Sequence, residues 1–263
     1  MIDFYKYHGT GNDFIMIDNR QEQFTGDKVK FAQKWCHRRF GIGSDGIIFI
    51  ENGPDVDFVM DFYNPDGSQS FCGNGSRCSM AFAQLLGITD TTAKFKAIDG
   101  VHEAKIENGL FCIHMGDVNG LELIQEDQFI HTGSPHYISY CHNGDKRDIV
   151  EFGRKIRYND RFKDQGTNVN LVTELASDHI DVRTYERGVE NETYACGTGV
   201  TAAALGFAFN KNLNSGEIKV DVKGGKLKVK FLRNDKSFKD IWLIGPAEFV
   251  FKGSIPVKAT ADN

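Results

Sequence analysis

One four-residue pattern occurs twice and constrains the fold of this chain more than any other feature. Cys72-Gly73-Asn74-Gly75 returns as Cys196-Gly197-Thr198-Gly199, 124 residues later. Each copy is followed by a run of small or aromatic residues, 76–86 and 200–210, that reads as a helix. At the same offset Asp99-Gly100 falls on Lys223-Gly224, and Phe62-Tyr63-Asn64 precedes the first cysteine as Thr184-Tyr185-Glu186 precedes the second. Further upstream, Gly9-Thr10-Gly11-Asn12 is matched with Gly166-Thr167-Asn168. Matches in one order point to a duplicated unit. A length of 263 residues, between one and two domains at about 150 each, agrees with two related halves.

Around the repeats lie short β-like runs, most of them alternating apolar with polar residues, at 14–17, 47–50, 57–63, 104–106, 110–114, 180–185, 217–222, 227–231 and 240–244. Gly, Asn and Asp turns separate them, the pattern of half-buried antiparallel strands. A third helix is expected over 27–39, where Val29, Phe31 and Trp35 recur near helical spacing. Many strands, few helices and no regular βαβ alternation give an α+β fold.

Composition removes several function classes. Thirty-one Lys and Arg against 36 Asp and Glu leave a net charge of −5, which offers nucleic acid no basic field. No apolar run approaches the roughly 20 residues that span a bilayer, so no membrane partner is expected. The opening Met1-Ile-Asp-Phe-Tyr-Lys-Tyr lacks a signal-peptide apolar core, and the cytoplasm is the expected compartment. Six cysteines in such a chain read as thiols rather than a disulfide frame. Cys36, Cys78, Cys112 and Cys141 read as packed or surface thiols.

The other two stand at helix mouths, where backbone N–H groups and the helix dipole stabilise a thiolate or a nearby carboxylate. Either copy alone could be a tight strand-to-helix turn with a buried cysteine. Two copies on pseudo-symmetric halves could instead present thiols to opposite faces of one carbon. Inverting a stereocentre by proton transfer needs a base on one face and an acid on the other. Neither pyridoxal phosphate nor a metal is required, and no motif for either occurs. Gly41-Ile-Gly43-Ser-Asp-Gly46 matches a nucleotide fingerprint in letters only, since a helix precedes it and a strand follows.

Several motifs together resemble the diaminopimelate epimerase family. They are His8-Gly-Thr-Gly-Asn-Asp-Phe14, Arg39-Phe-Gly-Ile-Gly-Ser-Asp-Gly46, Tyr63-Asn-Pro-Asp-Gly-Ser68, Phe71-Cys-Gly-Asn-Gly-Ser-Arg-Cys78, Gly133-Ser-Pro-His136, Gly166-Thr-Asn-Val-Asn170, Tyr185-Glu-Arg-Gly188 and Ala195-Cys-Gly-Thr-Gly199. The resemblance implies a cofactor-independent epimerase that interconverts LL- and meso-diaminopimelate for lysine and peptidoglycan precursors. It also implies two similar domains, each a strand-rich sheet or barrel wrapped around a central helix, with the active site in the cleft between them. The first would span 1–117 with a returning segment at about 247–263, the second 118–246, and the enzyme would be a homodimer.

By the same resemblance Cys72 and Cys196 are the acid/base thiols, facing the α-protons of the LL and meso substrates respectively. His136 and Glu186 would tune them. Backbone N–H groups of Gly73, Asn74, Gly197 and Thr198 would bind the reacting carboxylate, and Asn12, Asn64, Asn168, Glu186 and Arg187 the remaining polar groups. Gly46 stands where some members carry a contacting Gln, and Ser134 where Asn is usual before Pro-His, so both are weaker candidates. The alternatives are a proline or hydroxyproline-type racemase, disfavoured by Asn74 where those proteins carry His, and a redox dithiol protein without enzymatic activity.

Overall fold

The computed structural model describes residues 1–141 and 147–256. The chain divides into two compact units, one formed by Met1–Ile113 with the chain from Pro246 on, the other by His114–Gly245. The expected returning segment at 247–263 extends beyond the described residues at 257–263.

The first unit opens on a hairpin, β1 (Ile2–Gly9) and β2 (Asn12–Asp18), paired antiparallel from Tyr5 opposite Met16 to Gly9 opposite Asn12. Two left-handed residues, Thr10 at φ 52 and Gly11 at φ 83, close it. That is the geometry a two-residue hairpin turn requires, and a β-branched residue adopts it only when held. Helix α1 (Lys28–Trp35) carries the chain to β3 (Gly46–Glu51), which runs parallel to β2 and antiparallel to β4 (Phe58–Tyr63). Helix α2 (Gly73–Leu85) leads to β5 (Thr92–Ala97), parallel to β4, and then to β6 (Gly100–Glu107) and β7 (Leu110–Met115). From Gly73 to Ala83 every residue of α2 is buried, and it touches β1, β2, β3, β4 and β6. A helix apolar or small on all sides belongs inside a sheet wrapped round it. Helix α1 packs through Phe31 and Ala32 into a second cluster with Phe24, Phe49 and Ile2.

The second unit repeats this order. A hairpin of β8 (Leu121–Ile124) and β9 (Asp127–His131) leads into β10 (Pro135–Tyr140). Helix α3 (Ile149–Arg157) bridges β10 to its parallel neighbour β11 (Asn168–Ala176), which pairs antiparallel with β12 (His179–Glu186). After the short β13 (Asn191–Thr193), α4 (Gly197–Asn210) leads to β14 (Ser215–Val222), parallel to β12. Strands β15 (Gly225–Asn234) and β16 (Ser237–Gly245) complete the sheet around α4. The chain then returns to the first unit as β17 (Glu248–Ile255), antiparallel to β1 from Ile2 opposite Ile255 to His8 opposite Glu248.

Strands and helices therefore mix as an α+β fold, with each helix spanning one parallel strand pair. The helix expected over 27–39 ends at Trp35, because the His37 ring accepts the Arg39 and Phe40 amides and turns the chain. Both central helices begin three residues earlier than their apolar runs suggest, each with its cysteine at the N-cap position. Helix α3 had no counterpart in the sequence reading. Its Asp148 accepts from Glu151 N in the manner of a capping residue, a signal present in Asp-Ile-Val-Glu.

Strand register corrects one repeat match. Phe14 lies opposite Gly46 and Ile47 opposite Tyr63, while His136 lies opposite Asn168 and Val169 opposite Tyr185. Asn168 is thus the counterpart of Gly46, and Asn12 that of Ser134, both at an offset of 122. The similarity of Gly9–Asn12 to Gly166–Asn168 joins positions that are not equivalent.

Candidate active site

Each cysteine of the repeat is the N-cap of the central helix of its unit, in extended backbone with φ −134 at Cys72 and −115 at Cys196. Gly73-Asn74 and Gly197-Thr198 occupy the first helical positions, where N–H groups point out of the helix end. The third-position glycines are closely packed. A Cβ on Gly75 would lie 3.0 Å from Met60 Cε, and one on Gly199 2.8 Å from Asn170 Oδ1.

In the first unit Cys72, Asn12 and Asn74 come together. Cys72 Sγ accepts from Gly75 N at 3.4 Å and lies 3.8 Å from Asn12 Oδ1, which also accepts from Asn74 Nδ2 at 3.1 Å. Asn12 is oriented by donating Nδ2 to Asp45 Oδ2 at 2.8 Å. Asp45 belongs to an ion network, in which Arg38 reaches Asp45 at 2.6 Å and Asp13 at 2.7 Å, and Lys6 reaches Asp13 at 2.6 Å. Burial opposes the charge of Asp13, but hydrogen bonds from Arg38 and Lys6 outweigh it and hold the carboxyl below its usual range. Beneath the same turn lies Arg77 of α2, fully buried, donating to Thr10 Oγ1 and to Pro246 O. Burial pushes its guanidinium down to about 10, so it stays cationic at neutral pH and pins the strained Thr10. The network around Asp13, Asp45, Lys6 and Arg38 was not read from the sequence.

Two further first-unit candidates have other neighbours. Asn64 closes its own turn, donating to Ser68 O and Ser68 Oγ, each at 3.2 Å. Gly46 begins β3, and a Cβ there would lie 2.3 Å from Phe62 Cε2, so the Phe62 ring fills the space a longer residue would need.

In the second unit Cys196, Thr198, His136, Asn168, Ser134 and Arg187 form one connected cluster. Cys196 Sγ lies 3.5 Å from Thr198 Oγ1, which lies 2.9 Å from His136 Nε2. The Thr198 carbonyl accepts from Thr132 Oγ1. Asn170 Nδ2 approaches His136 Nδ1 at 3.2 Å and donates to Tyr137 O at 3.1 Å, while Thr184 donates to Asn170 Oδ1 at 2.9 Å. Burial, with the charges of His131 and Arg187 behind it, pushes the fully buried imidazole of His136 down to about 3 and leaves it neutral. Asn168 donates to Ser134 Oγ at 2.9 Å and accepts the Arg187 amide at 2.8 Å. Arg187 is exposed and gives one donor to Gln165 O. Glu186 ends β12, its carbonyl accepting the Glu190 amide at 2.8 Å. Asn170 and Thr184 were missed, although Asn170 sits two residues beyond Asn168 and so on the same face of β11.

Of the remaining cysteines, Cys36, Cys78 and Cys112 are buried, and burial raises the thiols of Cys36 and Cys78. Among the described residues no group of three or more His, Cys, Asp or Glu side chains could hold a metal ion. Nor is any described helix long and apolar enough to cross a membrane.

The family profile described as diaminopimelate epimerase matches residues 4–120 and 128–250. Diaminopimelate epimerase of Flavobacterium psychrophilum is 47% identical over 253 residues, covering 95% of this chain and 99% of its own. That of Chlorobaculum tepidum is 42% identical, covering 94% and 98%. Among solved structures, a PhzF-family phenazine biosynthesis protein of Bacillus anthracis superposes with a TM-score of 0.76 at 15% identity, covering 97% of this chain and 99% of its own. A probable proline racemase of Agrobacterium radiobacter superposes with a TM-score of 0.70 at 13% identity, covering 99% and 94%, and these two likenesses concern the fold. With the profile spanning both units and relatives matched along almost their full length, the chain belongs to the diaminopimelate epimerase family.

Proposed function

We propose that this protein interconverts LL- and meso-2,6-diaminopimelate by two-base proton transfer at the α-carbon, supplying lysine and peptidoglycan precursors. The observation that carries this reading is the duplicated helix mouth, with Cys72 and Cys196 each the N-cap of its unit's central helix. One thiolate removes the α-proton, the other thiol returns a proton to the opposite face, and the two exchange roles in the reverse direction. Cys72 addresses the α-proton of the LL substrate and Cys196 that of the meso form. First-turn amides of Gly73, Asn74, Gly197 and Thr198 bind the carboxylate beside the reacting carbon and stabilise the charge that develops there.

Asn12, Asn64, Asn168 and Glu186 hold the substrate's other polar groups, and the exposed guanidinium of Arg187 suits the distal carboxylate. Ser134 and Gly46 make weaker contacts. His136 tunes Cys196 through Thr198, and Glu186 tunes the other thiol. The chemistry asks for neither pyridoxal phosphate nor a metal. It runs in the cytoplasm, where thiols stay reduced, and in a homodimer; exposed Phe249, Val250 and Phe251 on β17 support self-association.

The test is solvent exchange in D₂O, on enzyme dialysed against a chelator and characterised by sedimentation. Wild-type protein is expected to convert LL- to meso-diaminopimelate, with deuterium entering the α-position, and to leave proline unchanged. Removing one thiol, by Cys72→Ala or Cys196→Ala, is expected to lower kcat by on the order of 10²–10⁴. Absence of exchange in the wild type, or full exchange in the double variant, would overturn the reading. Loss of activity on chelation would overturn the metal-free chemistry, and sedimentation as a monomer the dimer.

A further inference from the structure

The hydrogen bonds leading to Cys196 run in one direction. Their polarity is set far from the thiol, by a side chain whose orientation is unambiguous. Asn170 approaches the Tyr137 carbonyl at 3.1 Å and the Thr184 hydroxyl at 2.9 Å. Only an amide nitrogen can face the Tyr137 carbonyl, so Nδ2 is the atom turned toward His136 Nδ1 at 3.2 Å. A donor there requires a bare lone pair on Nδ1. The imidazole is fully buried and neutral, so its one proton is on Nε2. Asn168 Nδ2 also lies 3.5 Å from Nε2, but its two hydrogens go to Ser134 Oγ at 2.9 Å and Pro135 O at 3.2 Å. Nε2–H therefore donates to Thr198 Oγ1 at 2.9 Å, and the Thr198 hydroxyl hydrogen is left to point at Cys196 Sγ, 3.5 Å away.

Cys72 meets a different set: the Gly75 N–H donates to its Sγ at 3.4 Å, but the side chain that faces it is an acceptor. Asp45 takes the Asn12 amide nitrogen at 2.8 Å, which turns the Asn12 carbonyl oxygen toward Cys72 Sγ at 3.8 Å. An oxygen with no hydrogen accepts from a thiol and repels a thiolate. We propose that the resting protein carries Cys196 as the thiolate and Cys72 as the thiol, with Asn170 the positioning residue that sets this by fixing the tautomer of His136. The catalytic meaning rests on the epimerase reading, under which the resting form is charged to take the α-proton of the meso substrate. The polarity itself does not depend on that reading.

Iodoacetamide alkylation of the full-length protein without substrate, mapped by mass spectrometry, tests the assignment. Thiolate sulfur displaces iodide, so the ionised cysteine reacts first. Cys196 is expected to be modified ahead of Cys72, although Cys196 is only 8% exposed and Cys72 is more open. Thr198→Val keeps the backbone N–H, deletes the hydroxyl and is expected to slow Cys196 alkylation at least about tenfold. Thr198→Ser restores it. In ¹⁵N spectra of histidine-labelled protein, with the His136 signal assigned by its loss in His136→Gln, the wild-type ring shows a bare Nδ1 and a protonated Nε2. Asn170→Asp replaces the donor by an acceptor, moves the proton to Nδ1 and slows Cys196 alkylation without slowing that of Cys72.

Should Asn170→Asp fail to fold, the Thr198 pair and the wild-type spectrum still decide. Cys72 reacting first, a protonated Nδ1 in the wild type, or an unchanged rate in Thr198→Val would each overturn the proposal. Deuterium wash-in together with Cys72 reacting first sinks this inference alone. Cys196 reacting first without wash-in sinks the epimerase reading alone.

Discussion

His136 couples the second thiol to acid stability. Its folded value lies near 3 against an ordinary 6.5, so the unfolded chain takes up a proton that the native state refuses. The stabilisation is complete above 6.5 and is lost as pH falls from there toward about 3. Urea midpoints measured in steps through that window should fall for the wild type and fall less steeply for His136→Gln. Equal slopes would mean that the imidazole takes up its proton inside the folded protein. The first unit makes the reverse choice with Arg77, which is buried while charged and spends its hydrogen bonds on Thr10 Oγ1 and Pro246 O. One unit excludes a charge beneath its site and the other keeps one.

Among the elements, α3 depends on one missing side chain. A Cβ on Gly153 would lie 2.4 Å from Tyr185 Cβ and Cγ, so the helix approaches β12 as closely as backbone allows. Gly153→Ala should cost about 1–3 kcal/mol despite the better helix propensity of Ala, and thermal unfolding monitored by circular dichroism would measure it. An unchanged midpoint would show that the strand can yield. The same glycine explains why α3 was illegible in the sequence, since Gly in a nine-residue helix reads as a break.

Central helices were legible from their small-residue runs, but not their first turns, where Gly73 and Gly197 mask helical backbone. Eight of the nine β-like runs lie within strands, and the ninth, 57–63, starts one residue before β4. Strands β11 and β17 escaped for opposite reasons: β11 buries polar Asn168 and Asn170 among apolar neighbours, and β17 exposes Phe249, Val250 and Phe251. The motif cysteines and Thr198 were readable by position, whereas Asn170 and Thr184 were not, because their role exists only once β10, β11 and β12 lie side by side.

At the scale of the whole molecule, the repeat is clearer in topology than in letters. Strand order, the parallel pair spanned by each helix, and a cysteine at the N-cap position of each central helix recur in both units. Residue identity recurs at few places outside Cys-Gly-x-Gly, because the strands need only apolar faces while the helix mouths need particular atoms. The offset changes from 122 in the strands before the cysteines to 124 at the cysteines themselves, so the loops between absorbed two residues. The match of Asn12 with Asn168 spans 156 residues, fits neither offset, and rested on letters alone.

Strand β17 gives the chain an unusual order of completion during synthesis. Every strand of the second unit lies between His114 and Gly245, but β1, already paired with β2, lacks its second partner until Ile255 has been made and released. Domains generally finish folding in the order they are made. Here the later-made unit can close first while the earlier one waits with the edge of β1 open. Released chains truncated after Gly245 should resist protease within the second unit and remain cleavable near β1. Protection of β1 at that length would show that the first unit holds its sheet without its final strand.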